Sequence, residues 1–119
     1  MRLPVESELL RIFIGESDKH AGRALYEVIV EEARRRGMAG ATVLHGILGF
    51  GARSRVHKAG ILRLSEDLPV VIEIVDRTDR IEAFLPVLDD MVTEGLVTRE
   101  KAQVIVYRHG ERAEDPAAG

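Results

Sequence analysis

The chain has 119 residues, 45% hydrophobic and 31% charged, with a formal net charge of −3; this predicts a single globular domain burying roughly two thirds of the surface its unfolded chain exposes. It contains no cysteine and only 4% aromatic residues, which excludes disulfides and thiolate metal sites, demands an aliphatic core and argues against a base-stacking platform for single-stranded nucleic acid. Met1–Glu6 carries no apolar signal core, and Leu9–Ile14 is too short to span a bilayer and is broken by Arg11, so no targeting or membrane segment is expected and a cytoplasmic location is.

Leu10, Ile12 and Ile14 alternate within residues 8–15, the period of a strand with one buried face. Ser17 or Asp18 then offers a helix cap, and Ala21, Leu25, Val28, Ile29 and Ala33 follow at helical spacing. Arg34, Arg35 and Arg36 suit the negative end of that helix, and Gly37 suits its stop. Residues 40–49 read as a second strand whose glycines fit a bulge or a close approach. A long loop to about Leu68 follows, with a short strand or ribbon at Ile61–Leu64; loops of that length are usually functional or disordered.

Pro69–Val75 is a β-branched run opened by a proline and reads as a third strand. Asp79 and Glu82 fit a capping box, and Ile81, Phe84, Leu85, Leu88, Met91 and Val92 mark an amphipathic helix that contains Pro86 and ends at Gly95. Residues 102–107 read as the last strand, residues 1–109 as one domain, and residues 110–119 as a disordered tail. Two strand–helix–strand units in succession predict an α+β fold: a ferredoxin-like sandwich with an antiparallel sheet backed by two helices and a long loop after the second strand. Its open sheet face needs a cover, for which self-association is the expected means.

Charge is unevenly distributed. Between Ala33 and Ser65 there is no Asp or Glu, while Arg34, Arg35, Arg36, Arg53, Arg55, Lys58 and Arg63 all fall there. A basic window on an acidic chain favours a local anionic ligand over nucleic acid, which would want a broadly basic face. Inside it, Gly46, Gly49 and Gly51 precede Arg53, Arg55, His57 and Lys58. Glycine turns expose backbone N–H groups, and converging N–H groups with cations make an anion site. Neither the Walker spacing nor a complete G-x-G-x-x-G is present, since Ser54 stands at the third glycine; the composition also suits a plain solvated loop.

No catalytic or metal arrangement is encoded locally. His20, His45, His57 and His109 lack H-x-x-x-H or H-E-x-x-H spacing. Asp76 and Asp79 are better read as negative charge at a helix start than as a carboxylate pair, and Ser54 and Ser65 have no evident base. The protein is not expected to be an enzyme.

Over residues 8–108 the chain resembles PII-like proteins, within them a branch known only as a domain of unknown function. The likeness is carried by Gly40–Val43, Gly49-Phe-Gly51, His57, Asp67–Asp76, Phe84–Leu88 with Met91-Val92, and Gly95-Leu-Val97. It implies a ferredoxin-like homotrimer whose long loop is a regulatory arm facing a partner, in family style a membrane transporter or channel. It also implies an adenine nucleotide (ATP, ADP, AMP or a cyclic dinucleotide) or a related small anion in clefts between subunits. By position, one wall would be Gly49, Phe50, Gly51, Arg53 and Arg55, the other Gly95, Leu96 and Val97, with Arg99, Lys101 or Arg108 toward phosphate; His57 and Lys58 extend the first. The chain departs from signalling PII proteins in having Glu94-Gly95-Leu96 where a lysine-bearing glycine turn grips phosphate, and in having no tyrosine in residues 51–69, so uridylylation is not expected. The alternative is a trimeric metal-binding protein resembling copper-tolerance proteins, with His57 as the ligand to test.

Overall fold

The structure, a computed structural model, describes residues 3, 5–51 and 67–108. Among the described residues, six strands and two helices run in the order β1 (Glu6–Gly15), β2 (Lys19–His20), β3 (Arg23–Ala24), α1 (Leu25–Arg35), β4 (Thr42–His45), β5 (Pro69–Asp76), α2 (Thr78–Met91) and β6 (Leu96–Gln103). The main sheet has the order β4-β5-β1-β6, antiparallel throughout. The units β1-α1-β4 and β5-α2-β6 are therefore interleaved, with β5 set between the two strands of the first. This is the ferredoxin-like sandwich.

Alternation in the sequence decides which face is covered. Leu10, Ile12 and Ile14 of β1 and Val70, Ile72 and Ile74 of β5 are all buried. Ile12 stands opposite both Ile72 and Val97. Onto this face α1 lays Leu25, Ile29 and Ala33, and α2 lays Ile81, Phe84 and Leu88, each set spaced to fall on one helical stripe. Burying an aliphatic side chain of this kind contributes roughly 1.5–3 kcal/mol, so the dozen residues of this cluster dominate the stability. On the other face Leu44, Val71, Phe13 and Leu96 are paired strand to strand into one apolar row across all four strands. A polar row follows, in which Arg11 reaches Glu73 at 2.9 Å and Glu100 at 3.2 Å.

Four elements differ from what the sequence predicts. The first helix begins at Leu25, not beside Ser17 or Asp18. The intervening residues form the β2–β3 hairpin, whose turn residues Ala21 and Gly22 both have positive φ (53° and 82°), the geometry of a two-residue hairpin turn. Asp18 serves the preceding turn instead: its carboxylate accepts the Gly15 N–H at 2.9 Å and its carbonyl accepts the Leu25 N–H at 2.8 Å. The second strand is confined to Thr42–His45. The capping box at Asp79 and Glu82 does not form, because Asp79 pairs with Arg77 (2.7 Å) and Glu82 with Arg99 (2.7 Å). Finally, the last strand is Leu96–Gln103 rather than 102–107. After it the Val104 N–H donates to the Val5 carbonyl at 2.6 Å, and the Tyr107 hydroxyl donates to the Ala39 carbonyl at 2.9 Å. Residues 104–107 thus cross the end of the sheet as an arm. The Ile61–Leu64 ribbon and the 110–119 tail lie outside the described residues. Among the described residues no helix is long and apolar enough to cross a membrane.

Candidate functional site

The site lies at the end of the sheet where β1 and β4 finish and β5 and β6 begin. Gly46 follows β4 directly, and its N–H donates to the Pro69 carbonyl at 2.7 Å. A Cβ at Gly46 would lie 2.7 Å from the Pro69 ring, so only glycine lets the chain leave β4 this close to the start of β5. Residues 49–51 then run beside the β1–β2 turn. On its far side, Asp67 presents its carboxylate to the Ser17 N–H at 2.9 Å, and the Glu16 N–H donates to the Leu68 carbonyl at 2.8 Å. Both described ends of the long connection are held on one corner of the sheet.

Between them is a cleft of about 480 Å³ lined by Gly49, Phe50 and Gly51 on one side and Glu94, Gly95 and Leu96 on another. Its floor is Phe13, Ile14 and Gly15, closed by Asp18, Asp67 and Pro69. That volume lies within the range that holds a small organic ligand, roughly 300–1,000 Å³. Phe13 and Leu96 belong also to the apolar row of the open sheet face, so the cleft opens onto that face. The charged groups of its described lining are Asp18, Asp67 and Glu94, with no Lys or Arg among them.

The family model DUF190, "Uncharacterized ACR, COG1993", matches residues 7–104. The chain belongs to the DUF190 family. A UPF0166 protein of Aquifex aeolicus is 38% identical over 101 residues, 85% of this chain and 95% of the relative. A second UPF0166 protein, from Methanocaldococcus jannaschii, is 39% identical over 94 residues, 78% of this chain and 86% of the relative. Among solved structures, a candidate PII-like signaling protein of Thermus thermophilus superposes with a TM-score of 0.53 at 20% identity, covering 87% of this chain and 91% of that one. At that identity the likeness is one of fold: this DUF190 chain shares the ferredoxin-like sandwich of that protein.

The residues singled out from the sequence fall into three groups. Gly49, Phe50, Gly51, Gly95 and Leu96, distant in the DUF190 sequence, meet in the cleft. Arg53, Arg55, His57 and Lys58 lie outside the described residues. The others stand elsewhere: Val97 opposite Ile12 and packed on the core, Lys101 opposite Glu8, and Arg108 beyond the Tyr107 arm. Arg99 is engaged three times, with Glu8 (2.8 and 3.0 Å) and with Glu82 (2.7 Å). Among the described residues no His, Asp or Glu group is arranged to hold a metal ion. The lining residues that sequence reading missed, Asp18, Asp67 and Glu94 above all, share one signal: each is an acid beside a turn at the end of an element.

The Arg99 contact has a pH signature. Its guanidinium hydrogen bond holds the Glu8 carboxyl below the usual carboxylate range, against the opposing effect of burial. A depressed carboxylate contributes stability that is complete above its unfolded pKa and is lost as pH falls through the folded value. Glu8→Gln should therefore lose less melting temperature than the parent between about pH 5 and pH 3. Parallel acid limbs for parent and variant would show that the pair contributes nothing.

Proposed function

We propose that this protein is a PII-like regulatory protein, not an enzyme, that binds a small anionic ligand, an adenine nucleotide, at the cleft. It works in the cytoplasm as a homotrimer, the sites lie between subunits, and the segment between Gly51 and Asp67 is presented to a partner protein. The observation that carries this reading is the meeting of Gly49–Gly51 with Gly95–Leu96 around a single cavity. Glycine backbone at both walls leaves N–H groups and space for close approach of a ligand. Three cations, Arg53, Arg55 and Lys58, follow Gly51 within seven residues, near enough in sequence to supply charge to phosphate. The apolar row that continues from the cleft across the open sheet face supports self-association, since an apolar face of this extent is normally covered.

The test is calorimetry with ATP, ADP, AMP and a cyclic dinucleotide on protein whose solution mass has been fixed by light scattering. One of the four should bind saturably to a trimer. Gly51→Val should weaken that binding by about tenfold or more while leaving the melting temperature nearly unchanged, because no described atom lies within 4 Å of a Cβ placed there. Arg53→Ala should weaken it as well. No heat from any of the four ligands would sink the reading.

A further inference from the structure

The two edges of the main sheet are made to fit each other. We infer that β4 of one copy pairs antiparallel with β6 of the next, with Thr42 opposite Thr98, Val43 opposite Val97 and Leu44 opposite Leu96. The partner is a second copy of this chain, joined head to tail, and the sheets run on into a closed ring. This rests on the self-association proposed above and goes one step further, to the strands and the register that make it.

Strand direction permits the contact. Each pairing in the order β4-β5-β1-β6 is antiparallel, so the two outer strands run in opposite directions. Setting β6 of one copy beside β4 of another continues the alternation without turning either copy over. Among the described residues β4 pairs only with β5, and β6 only with β1, which leaves backbone donors and acceptors along each outer edge. β4 is exposed along its whole length and has the sequence Thr-Val-Leu-His. It carries no proline, Lys or Glu, the residues that guard an exposed edge against pairing.

Register favours it as well. Within one copy Leu44, Val71, Phe13 and Leu96 share one row, and Thr42, Glu73, Arg11 and Thr98 share the next. With the next copy at the same level, each row meets its own kind. Leu44 and Leu96, 47% and 56% exposed, come together on the open face. Thr42 meets Thr98, a favourable cross-strand pair. Val43 shares the helix-facing side with Ile72 yet is 38% exposed, and this register sets it against Val97. A slip by two residues, the smallest that keeps the faces, puts Thr42 against Glu100 or against Leu96. β4 paired with itself centres on Val43 and sets Leu44 on Thr42, or centres on Leu44 and sets Val43 on His45. The like-with-like register also brings Gly95 of the next copy level with His45, beside the stem of the Gly49–Gly51 wall.

The chain contains no cysteine, so every disulfide in a variant is an introduced one. The experiment makes Thr42→Cys, Thr98→Cys and the double variant in the full chain, oxidises each, and reads the product masses without reductant; light scattering fixes the mass of the parent. Within one copy two strands separate residues 42 and 98, a gap of about 14 Å against the roughly 7 Å limit of a disulfide. Facing residues of an antiparallel pair, at about 4.5–5.5 Å, are within reach. A disulfide in the double variant therefore joins two copies. That variant should give products of two and three chain masses and nothing larger, while each single variant stays at one. Cross-linking in Thr42→Cys alone would show β4 on β4, and in Thr98→Cys alone β6 on β6; either overturns the pairing. So would a ladder running past three chains, a product that stops at two when oxidation is complete, or a double variant that stays single while the parent is a trimer. All of these leave the homotrimer itself intact. A parent that is not a trimer would instead overturn that reading, and the edge pairing with it.

Discussion

Gly95→Ala should lower the stability of the protein by about 2–4 kcal/mol, a fall in melting temperature of roughly 10–20 °C for a domain of this size. Gly95 has φ 155°, and a Cβ there would lie 2.7 Å from the Phe13 carbonyl oxygen and 3.1 Å from both Ile14 Cγ2 and Val92 Cγ1. The first of these contacts is with the backbone of the central strand, which cannot yield without disturbing its pairing to Leu96. The residue turns the chain from the end of α2 into β6 across one wall of the cleft, so the same substitution should also impair ligand binding. Gly51→Val is the paired control. It alters the opposite wall where the described structure leaves room, and thermal melts of the two variants should separate a folding defect from a binding defect. A Gly95→Ala protein that melts with the parent would show that the β1–β6 corner relaxes around the added methyl.

The second large effect is expected at Asp76. This carboxylate is fully buried, yet it is matched on both oxygens: Oδ2 accepts the Ala39 N–H at 2.9 Å and Oδ1 accepts the Arg77 N–H at 2.7 Å. One bond fixes the connection that leads into β4, the other the first residue before α2, where negative charge also favours the helix dipole. Asp76→Ala deprives two part-buried backbone donors of their acceptor, each toward the low end of about 1–3 kcal/mol, so a total loss of about 2–4 kcal/mol should appear in urea denaturation. Asp76→Asn retains one good acceptor but turns an amide N–H toward a backbone N–H, and should fall between the two. An alanine variant as stable as the parent would mean that water reaches both donors.

How much of this was legible beforehand follows from what each segment packs against. β1 and β5 could be read because their inward residues alternate strictly and both are central strands with one covered face. α2 could be read for the same reason at its own period. β6 could not: Leu96–Gln103 is an edge strand rich in charge, with Arg99 and Lys101 on its helix-facing side meeting Glu8 and Glu82 rather than the core. The β-branched Val104-Ile105-Val106 looks more like a strand than the strand does, although Ile105 and Val106 are largely exposed. Strand preference is at bottom a preference for a half-buried pleated surface, and here the surface and the preference are in different places. The start of α1 was hidden by a tight hairpin whose first turn residue, Ala21, gives no sign of its positive φ. At the cleft, the glycine walls were visible as sequence, whereas the acids were not. Asp18, Asp67 and Glu94 come together only through the strand order, and spacing along the chain carries no trace of that.

The strand order also dictates the timing of assembly. Of the main-sheet strands β1 is made first and sits at the centre, but its neighbours are β5 and β6; β4, the other main-sheet strand described in the first half of the chain, does not pair with it. A growing chain that has reached His45 therefore holds an apolar strand with both edges unpaired, and so it remains until residues beyond Pro69 have emerged. Pairings that close over such long stretches are slow to form and leave adhesive edges open meanwhile. Within this sheet the strand synthesised last is thus the one that completes the first, and a chain cut short before Leu96 would leave its middle strand bare along one side.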